Sequence, residues 1–230
     1  MPAVLLIDDD AALLDVLALA CEDAGFQVVT APDGRAGLQA IRDRRPDLVI
    51  SDVNMPNVDG FALCRVVREE HASLPLILLT SRDNEIDEAL GLDLGADDYV
   101  TKPFSTRVLI SRVQSLLRRR DAMRAALPEV QVRRIGALSL DAERLAIHYD
   151  ETPVRVTVSE YRLIEALTRR PGVVCSRAAL LEDVRGDDSV VADRIIDTYV
   201  RSIRRKLEAV AVGFDRIETV IGAGYRWRDD

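Results

Sequence analysis

The chain has 230 residues, of which 31 are Lys or Arg and 39 are Asp or Glu, giving a formal net charge of −8. This length predicts one or two domains that can each bury a core, and 48% hydrophobic with 30% charged residues argues against wholesale disorder. No run of about 18 apolar residues is present, which argues against a membrane span or a secretory signal and favours a cytoplasmic protein.

Several classes of site lack the residues that they need. The three cysteines lie far apart without a CxxC pair, and the two histidines fall in no recognisable catalytic motif. A disulfide framework, a structural zinc site and a Ser-His-Asp mechanism therefore have little support.

Charge is distributed unevenly between the two halves. Residues 1–121 carry 13 basic and 21 acidic side chains, whereas residues 122–230 carry 18 of each. Within the second half, residues 194–206 concentrate five basic side chains against one acid. An acidic half followed by a neutral half with one basic helix predicts two domains with different functions.

The first half alternates apolar strands with helical patterns. The strands are predicted at 4–7, 28–30, 48–51, 76–79 and 99–100. The helices between and after them are predicted at 11–24, 34–44, 61–70, 84–94 and 105–119. Continuous apolar strands separated by helices predict an α/β domain with a five-stranded, doubly wound parallel sheet covered on both faces. In such sheets the functional crevice lies at the carboxyl ends of the strands.

A linker is predicted at 122–129, so that the domains are 1–121 and 130–230. Short antiparallel strands are predicted at 130–135, 137–140, 145–149 and 154–156. A capping box of Thr157 and Glu160 opens a helix to about Arg169, Ser176 caps a second helix, and residues 193–209 form a third. A Gly-rich hairpin closes the chain over 217–227. Three helices followed by a hairpin predict a winged helix-turn-helix domain of the α+β class.

Charged side chains follow three strands of the predicted parallel sheet. Asp8, Asp9 and Asp10 follow the first strand, Asp52 ends the third, and Lys102 follows the fifth. Because these strand ends share one edge, the carboxylates repel one another unless a hard cation neutralises them. Mg2+ suits such a site, since it takes carboxylate oxygens and keeps positions for water and phosphate. The nearby lysine offers a point charge to a phosphoryl oxygen.

The segments LLIDDDAALL, VISDVNMPNVDGF, LILLTSR and GADDYVTKPF resemble the receiver domain of a bacterial two-component response regulator. The resemblance covers residues 3–120 and implies the flavodoxin-like receiver fold. It implies that Asp52 accepts a phosphoryl group from a sensor histidine kinase. It also implies that Asp8, Asp9, Asp52 and the backbone carbonyl of Asn54 hold Mg2+, and that Lys102 pairs with the phosphate.

The same resemblance assigns a conformational role to two further residues. Thr80 and Tyr99 match the switch pair of the family, in which the hydroxyl turns toward the phosphate and the ring moves inward. It also implies a cis peptide bond before Pro103. From its position, Asp10 is predicted to cap the first helix rather than to bind metal.

The basic helix of the second half is amphipathic. Ile196, Val200, Ile203 and Leu207 recur at helical spacing and predict one buried stripe. Projection at 100° per residue predicts a DNA-binding face opposite that stripe, formed by Arg194, Thr198, Arg201, Ser202 and Arg205. Such a face fits the major groove, and Arg226 in the hairpin is predicted to contact the minor groove.

Residues 130–230 resemble the output domain of OmpR/PhoB-type regulators. The resemblance implies binding to double-stranded promoter DNA and, through a loop at about 184–191, possible contact with RNA polymerase. The segment TVIGAGYRW departs from the family pattern because Ile221 stands where an arginine often precedes the first glycine. We expect that missing cation to reduce non-specific affinity.

The resemblance also implies that phosphorylation promotes a receiver homodimer and places two output domains on tandem half-sites about 10 bp apart. The dimer face is predicted to use Asp97, Asp98, Arg112 and Arg119. The chain is thus predicted to be a phosphorylation-controlled DNA-binding transcriptional regulator and not an enzyme. The alternative is a dimeric DNA-binding regulator that works without phosphorylation.

Overall fold

The computed structural model describes residues 1–80, 94–125, 132–185 and 195–229, without the side chains of residues 119, 121–125 and 185. The chain divides into two compact units, Met1–Leu117 and Arg118–Asp230. The helix predicted at 84–94 falls outside the described residues except for its last position. In the described part of the chain, no helix combines the length and the apolar character needed to cross a membrane.

The first unit is a parallel sheet with flanking helices, as predicted. Its strands are β1 (Ala3–Ile7), β2 (Gln27–Ala31), β3 (Leu48–Asp52), β4 (Leu76–Thr80) and β5 (Asp98–Thr101). Its helices are α1 (Ala11–Asp23), α2 (Gly34–Arg44), α3 (Gly60–Glu70) and α4 (Thr106–Ala125). The strand order is β2-β1-β3-β4-β5 and every pairing is parallel. This confirms the predicted five-stranded sheet.

The central strands β1, β3 and β4 are buried because helices cover both faces of the sheet. Val4 and Leu6 pack into one apolar cluster, whereas Leu5 and Ile7 pack into another. The alternation follows from the two-residue period of a strand, which sends successive side chains to opposite faces. A strand with both faces covered is apolar throughout, which explains the continuous runs in the sequence.

Aspartate side chains begin three of the helices. Asp10, Asp33 and Asp59 each accept hydrogen bonds from backbone N–H groups in the first turn of α1, α2 and α3. The predicted capping role of Asp10 is therefore confirmed. Helix α4 continues to Ala125, beyond the predicted end at residue 119, so it includes the first four residues of the predicted linker.

The second unit contains an antiparallel sheet, three helices and a hairpin. The sheet runs in the order β6 (Val132–Ile135), β7 (Leu138–Asp141), β8 (Ala146–Tyr149), β9 (Thr152–Val154). The helices and hairpin are α5 (Val158–Arg169), α6 (Arg177–Arg185), α7 (Ile195–Glu208), β10 (Ile217–Val220) and β11 (Gly224–Trp227). The capping box of Thr157 and Glu160 is present at the start of α5. These elements confirm the predicted winged helix-turn-helix.

Candidate functional site

The carboxylates of Asp8 and Asp52 meet at one edge of the first sheet. Asp8 follows β1 and Asp52 ends β3, and these strands are neighbours in the sheet. The Lys102 ammonium lies between them, 2.8 Å from Asp8 Oδ2 and 2.7 Å from Asp52 Oδ1. Both aspartates are buried and Lys102 is half-buried. The fold therefore gathers three groups that are separated by up to 94 positions in sequence.

Backbone amides fix the two carboxylates. Asp8 Oδ1 accepts the N–H of Asp10 at 2.9 Å, and Asp52 Oδ2 accepts the N–H of Asn54 at 2.6 Å. Each aspartate thus uses one oxygen for the backbone and the other for Lys102. Among the residues that the structure describes, the buried site therefore contains two carboxylates and only one ammonium to balance their charge.

Burial raises the pKa of Asp52, although hydrogen bonding and charge from Lys102 and the Asn54 amide act in the opposite direction. The charge of Asp8 adds to the rise. For Lys102, burial acts to lower the pKa, but the hydrogen bonds and charges of Asp52 and Asp8 raise it overall. The ammonium is therefore retained, while ionisation of Asp52 is made less favourable.

The other predicted metal-binding groups lie at the surface. Asp9 and Asn54 are exposed, and Asn54 contributes its amide to Asp52. Within the described ranges, no group of three or more His, Cys, Asp or Glu side chains is placed so that it could hold a metal ion. The Lys102 ammonium instead supplies the positive charge between Asp8 and Asp52.

Both predicted switch residues are buried, and Thr80 is bonded to this pocket. Thr80 ends β4 and is buried, and its carbonyl oxygen accepts the N–H of Lys102 at 2.5 Å. Tyr99 is also buried, in the apolar cluster that contains Leu5 and Leu63, so its ring already lies inside the unit. The peptide bond between Lys102 and Pro103 is cis, as expected.

The structure corrects the dimer-face prediction for Asp97. Its carboxylate is buried and accepts hydrogen bonds from Arg68 Nη2 at 2.8 Å and from the Leu76 N–H at 2.9 Å. A carboxylate enclosed by its own chain is not available to a second copy. Asp98 forms an ion pair with Arg112 at 2.8 Å within the chain. Arg119 lies in α4, and its side chain is outside the described set.

Helix α7 buries a wider face than predicted. The four apolar residues of the predicted stripe are buried, but so are Thr198 and Ser202, which were assigned to the DNA-binding face. Ser202 is 2% exposed and its hydroxyl donates to Glu160 Oε1 at 2.7 Å. These two assignments are wrong, because Thr198 is buried and the Ser202 hydroxyl faces Glu160 on α5 rather than solvent. Arg194 lies outside the described residues.

The exposed face of α7 carries Arg201 and Arg205, as predicted. Sequence reasoning missed Arg204, whose Nη2 donates to the Ile217 carbonyl at 2.7 Å and to Thr219 Oγ1 at 2.9 Å. Its position one turn from Arg201 was the available signal. Arg204 joins α7 to the hairpin.

A second link between α7 and the hairpin centres on Asp197. This carboxylate accepts hydrogen bonds from the Tyr225 hydroxyl at 2.6 Å and from Arg177 Nε at 2.7 Å. The Arg177 guanidinium lies 4.9 Å from the centre of the Tyr225 ring. Arg226, predicted to contact DNA, is half-buried and donates to Glu218 across the hairpin at 2.6 Å.

Comparison with known proteins agrees with both units. The family of response regulator receiver domains matches residues 4–114, and the C-terminal domain of transcriptional regulatory proteins matches residues 151–227. The transcriptional regulatory protein CseB of Streptomyces avermitilis is 40% identical, covering 97% of this chain and 96% of its own. CreB of Escherichia coli is 37% identical, covering 98% and 97%.

Among solved structures, the response regulator DrrB of Thermotoga maritima, described as an OmpR/PhoB homolog, is 27% identical. The match covers 99% of each chain with a TM-score of 0.52. An acidic pocket on a parallel sheet and a winged helix-turn-helix define a receiver coupled to a DNA-binding output. The chain belongs to the OmpR/PhoB-type two-component response regulators, which are transcriptional regulators.

Proposed function

We propose that Asp52 accepts a phosphoryl group from a sensor histidine kinase, and that this modification controls binding to promoter DNA. The observation that carries the proposal is the ammonium of Lys102, held within 2.8 Å of both Asp8 and Asp52. A carboxylate is a weak nucleophile, so transfer depends on positioning and on charge neutralisation. Lys102 supplies charge beside the acceptor, and the Asn54 amide fixes its second oxygen.

The residues present also fit Mg2+. Two buried carboxylates face one ammonium, and Mg2+ is commonly held by one or two carboxylates with water completing the shell. Asp8, Asp52 and the backbone carbonyl of Asn54 would hold the ion, and Asp9, which is exposed here, would turn toward it to complete the set. When bound, Mg2+ supplies charge that screens the carboxylates from the phosphoryl oxygens. Lys102 is half-buried, so its flexible chain can leave the carboxylates and contact the phosphoryl group.

We propose that phosphorylation is read through Thr80 and Tyr99 and promotes a homodimer. Thr80 is joined to Lys102 through its carbonyl oxygen, so movement of Lys102 bears directly on the end of β4. The new charge adds acceptor oxygens that the Thr80 hydroxyl can reach. The dimer face would use α4 and β5, and because Asp98 and Arg112 pair with each other there within one chain, that ion pair would have to open before either residue could contact a second copy.

The DNA-binding surface is proposed to be the exposed face of α7 together with the hairpin. Arg201 and Arg205 are exposed on α7, and Arg204 and Tyr225 hold the hairpin against that helix. Arginines on one helix face suit phosphate contact and guanine recognition. Two copies would bind tandem half-sites in promoter DNA, and RNA polymerase would contact the loop at 184–191, most of which lies outside the described residues.

The phosphoacceptor role is tested by incubating the chain with acetyl phosphate and Mg2+ and measuring the intact mass. Wild type is expected to gain one phosphoryl group, and Asp52→Asn is expected to gain none. Asp15→Asn, which alters an exposed acid on α1, serves as the matched control and should behave like wild type. Phosphorylation of Asp52→Asn to the wild-type extent would refute the assignment.

The DNA-binding role is tested by gel shift with duplexes that wild-type protein selects from a randomised library. Arg201→Ala is expected to weaken binding by about 1–3 kcal/mol, the usual cost of losing one arginine contact. Arg65→Ala, an exposed arginine on α3, is the control. Equal affinity of the Arg201 and Arg65 variants would exclude α7 as the contact surface. Selection with and without acetyl phosphate separates this proposal from binding that is independent of phosphorylation.

A further inference from the structure

The tip of the β10–β11 hairpin presents an isoleucine to solvent. Ile221 is 96% exposed and occupies the second position of a tight turn, in which the Ala223 N–H donates to the Val220 carbonyl at 3.0 Å. Gly222, the third residue of the turn, has φ of +76°, a backbone conformation that is unfavourable for residues with a side chain. This turn points Ile221 away from the body of the unit.

A single exposed apolar side chain is ordinary by itself, so the rest of the hairpin decides what Ile221 can do. Both strands are bonded to α7: Arg204 donates to Ile217 and Thr219 on β10, and Tyr225 on β11 donates to Asp197. The hairpin is thereby fixed relative to the helix that carries the exposed arginines. The tip lies four residues beyond Ile217, roughly 13 Å at strand spacing.

The chemistry of the tip is apolar. Residues 219–225 include no charged side chain, and the nearest cation, Arg226, is bound to Glu218 across the hairpin. An uncharged tip cannot hold a phosphate by ion pairing. The minor groove, by contrast, is about 6 Å wide and accepts single apolar side chains that partly separate base steps.

We propose that Ile221 enters the minor groove beside the major-groove site of α7 and makes an apolar contact there. The inference rests on the DNA binding proposed above. Contact of this kind favours flexible pyrimidine–purine steps, because they unstack at lower cost. Ile221 thus contributes to sequence preference through DNA shape, in a position where a cation would contribute non-specific affinity.

The test uses the full chain and duplexes that wild type selects from a randomised library, with fluorescence anisotropy measured over a range of NaCl concentrations. Ile221→Ala is expected to lower affinity about tenfold, since several buried methyl or methylene groups are lost. The slope of log affinity against log salt should not change, because no phosphate contact is removed. Val212→Ala, which alters a valine that is 98% exposed in the turn after α7, should match wild type.

A second measurement identifies the groove. Replacing adenine by 2,6-diaminopurine adds an amino group to the minor groove and leaves the major-groove edge in place. The tenfold difference between wild type and Ile221→Ala should disappear on such duplexes. Emission from Trp227, buried in the same unit, verifies that each variant is folded.

The outcomes separate the two proposals. Failure of wild type to select any duplex would overturn the proposed DNA binding and this inference together. Wild-type binding with an unaffected Ile221→Ala variant would overturn only the apolar contact. A tenfold loss accompanied by a shallower salt slope, or persisting on diaminopurine duplexes, would also overturn it, since the contact would then be to phosphate or to the major groove.

Discussion

Replacement of Glu160 by alanine is expected to destabilise the second unit by about 2–4 kcal/mol, because its carboxylate joins α5 to α7. Glu160 is 2% exposed. Its Oε2 accepts the Thr157 N–H at 2.8 Å and the Lys206 ammonium at 2.5 Å, and its Oε1 accepts the Ser202 hydroxyl at 2.7 Å.

The magnitude follows from these three contacts. Loss of the capping bond to Thr157 costs about 1 kcal/mol, and a buried Ser202 hydroxyl left without its acceptor costs about 1–2 kcal/mol. Lys206 is 27% exposed in its side chain, so it can reach water and its lost pairing adds at most about 1 kcal/mol. For a unit of this size, the melting temperature should fall by about 8–16 °C.

The assay is thermal unfolding followed by tryptophan emission. Trp227 is the only tryptophan of the chain and is buried in the second unit, so its emission reports that unit alone. Ser202→Ala should cost about 1 kcal/mol, because Glu160 keeps two donors. Glu182→Gln, at an exposed position of α6, is the control and should stay within about 0.5 kcal/mol of wild type. A Glu160→Ala variant that melts with the control would refute the reasoning.

Three further predictions concern the receiver unit, each measured by denaturation of the full chain followed by circular dichroism. Asp52→Asn should stabilise the receiver unit at neutral pH. The raised pKa of Asp52 favours folding below its unfolded pKa, and this contribution is lost as the pH rises through the folded pKa. The stability gained from Asn should therefore shrink on acidification. Arg68→Met should cost about 3–5 kcal/mol by removing the guanidinium that pairs with the buried Asp97 carboxylate, and adding Asp97→Asn should recover part of the loss. Gly60→Ala should cost about 1–3 kcal/mol and slow phosphorylation, since its Cβ would lie 2.3 Å from the Asp52 carbonyl oxygen, whereas wild-type stability would refute the clash.

The receiver sheet and its pocket could be predicted because two local signals coincide. The central strands β1, β3 and β4 are mostly apolar, which identifies a sheet with both faces covered, and a charged residue stands at or directly after the end of β1, β3 and β5. Parallel strands then bring Asp8, Asp52 and Lys102 to one edge whatever the helices between them contain. The pairing of each carboxylate with a backbone amide follows from the turn after the strand and carries no separate sequence signal.

The errors arose where a polar residue is buried by a distant partner. Asp97 and Asp98 are adjacent aspartates, but buried Asp97 pairs with the guanidinium of Arg68, which is 29 positions away in sequence. Ser202 similarly faces Glu160, 42 positions away. A helical projection assigns hydroxyls to the polar face because it counts only neighbours within the helix.

The end of α4 was placed too early for a different reason. Residues 118–121 were read as the close of the helix because they are a run of charges. No glycine or proline occurs between residue 119 and Pro128, and arginine, alanine and methionine all favour helix. Nothing local stops the helix at residue 119, and it continues to Ala125. A charge run alone is therefore a weak sign that a helix ends.

The only two lysines of the chain, Lys102 and Lys206, both pair with buried carboxylates, while the other 29 basic residues are arginines. An ammonium is a compact point charge that can serve two acceptors at once, whereas a guanidinium is a planar fork suited to one carboxylate or phosphate. Lys102 bridges the carboxylates of Asp8 and Asp52, which stand at the ends of different strands, so the fold does not hold the two carboxylates in one plane. Lys206 joins a Glu160 oxygen that already accepts a backbone amide. The two sites differ in what surrounds the carboxylate: Glu160 has three donors and is a fixed anchor, whereas the pocket of Asp52 holds more negative than positive charge and is therefore suited to gain a cation.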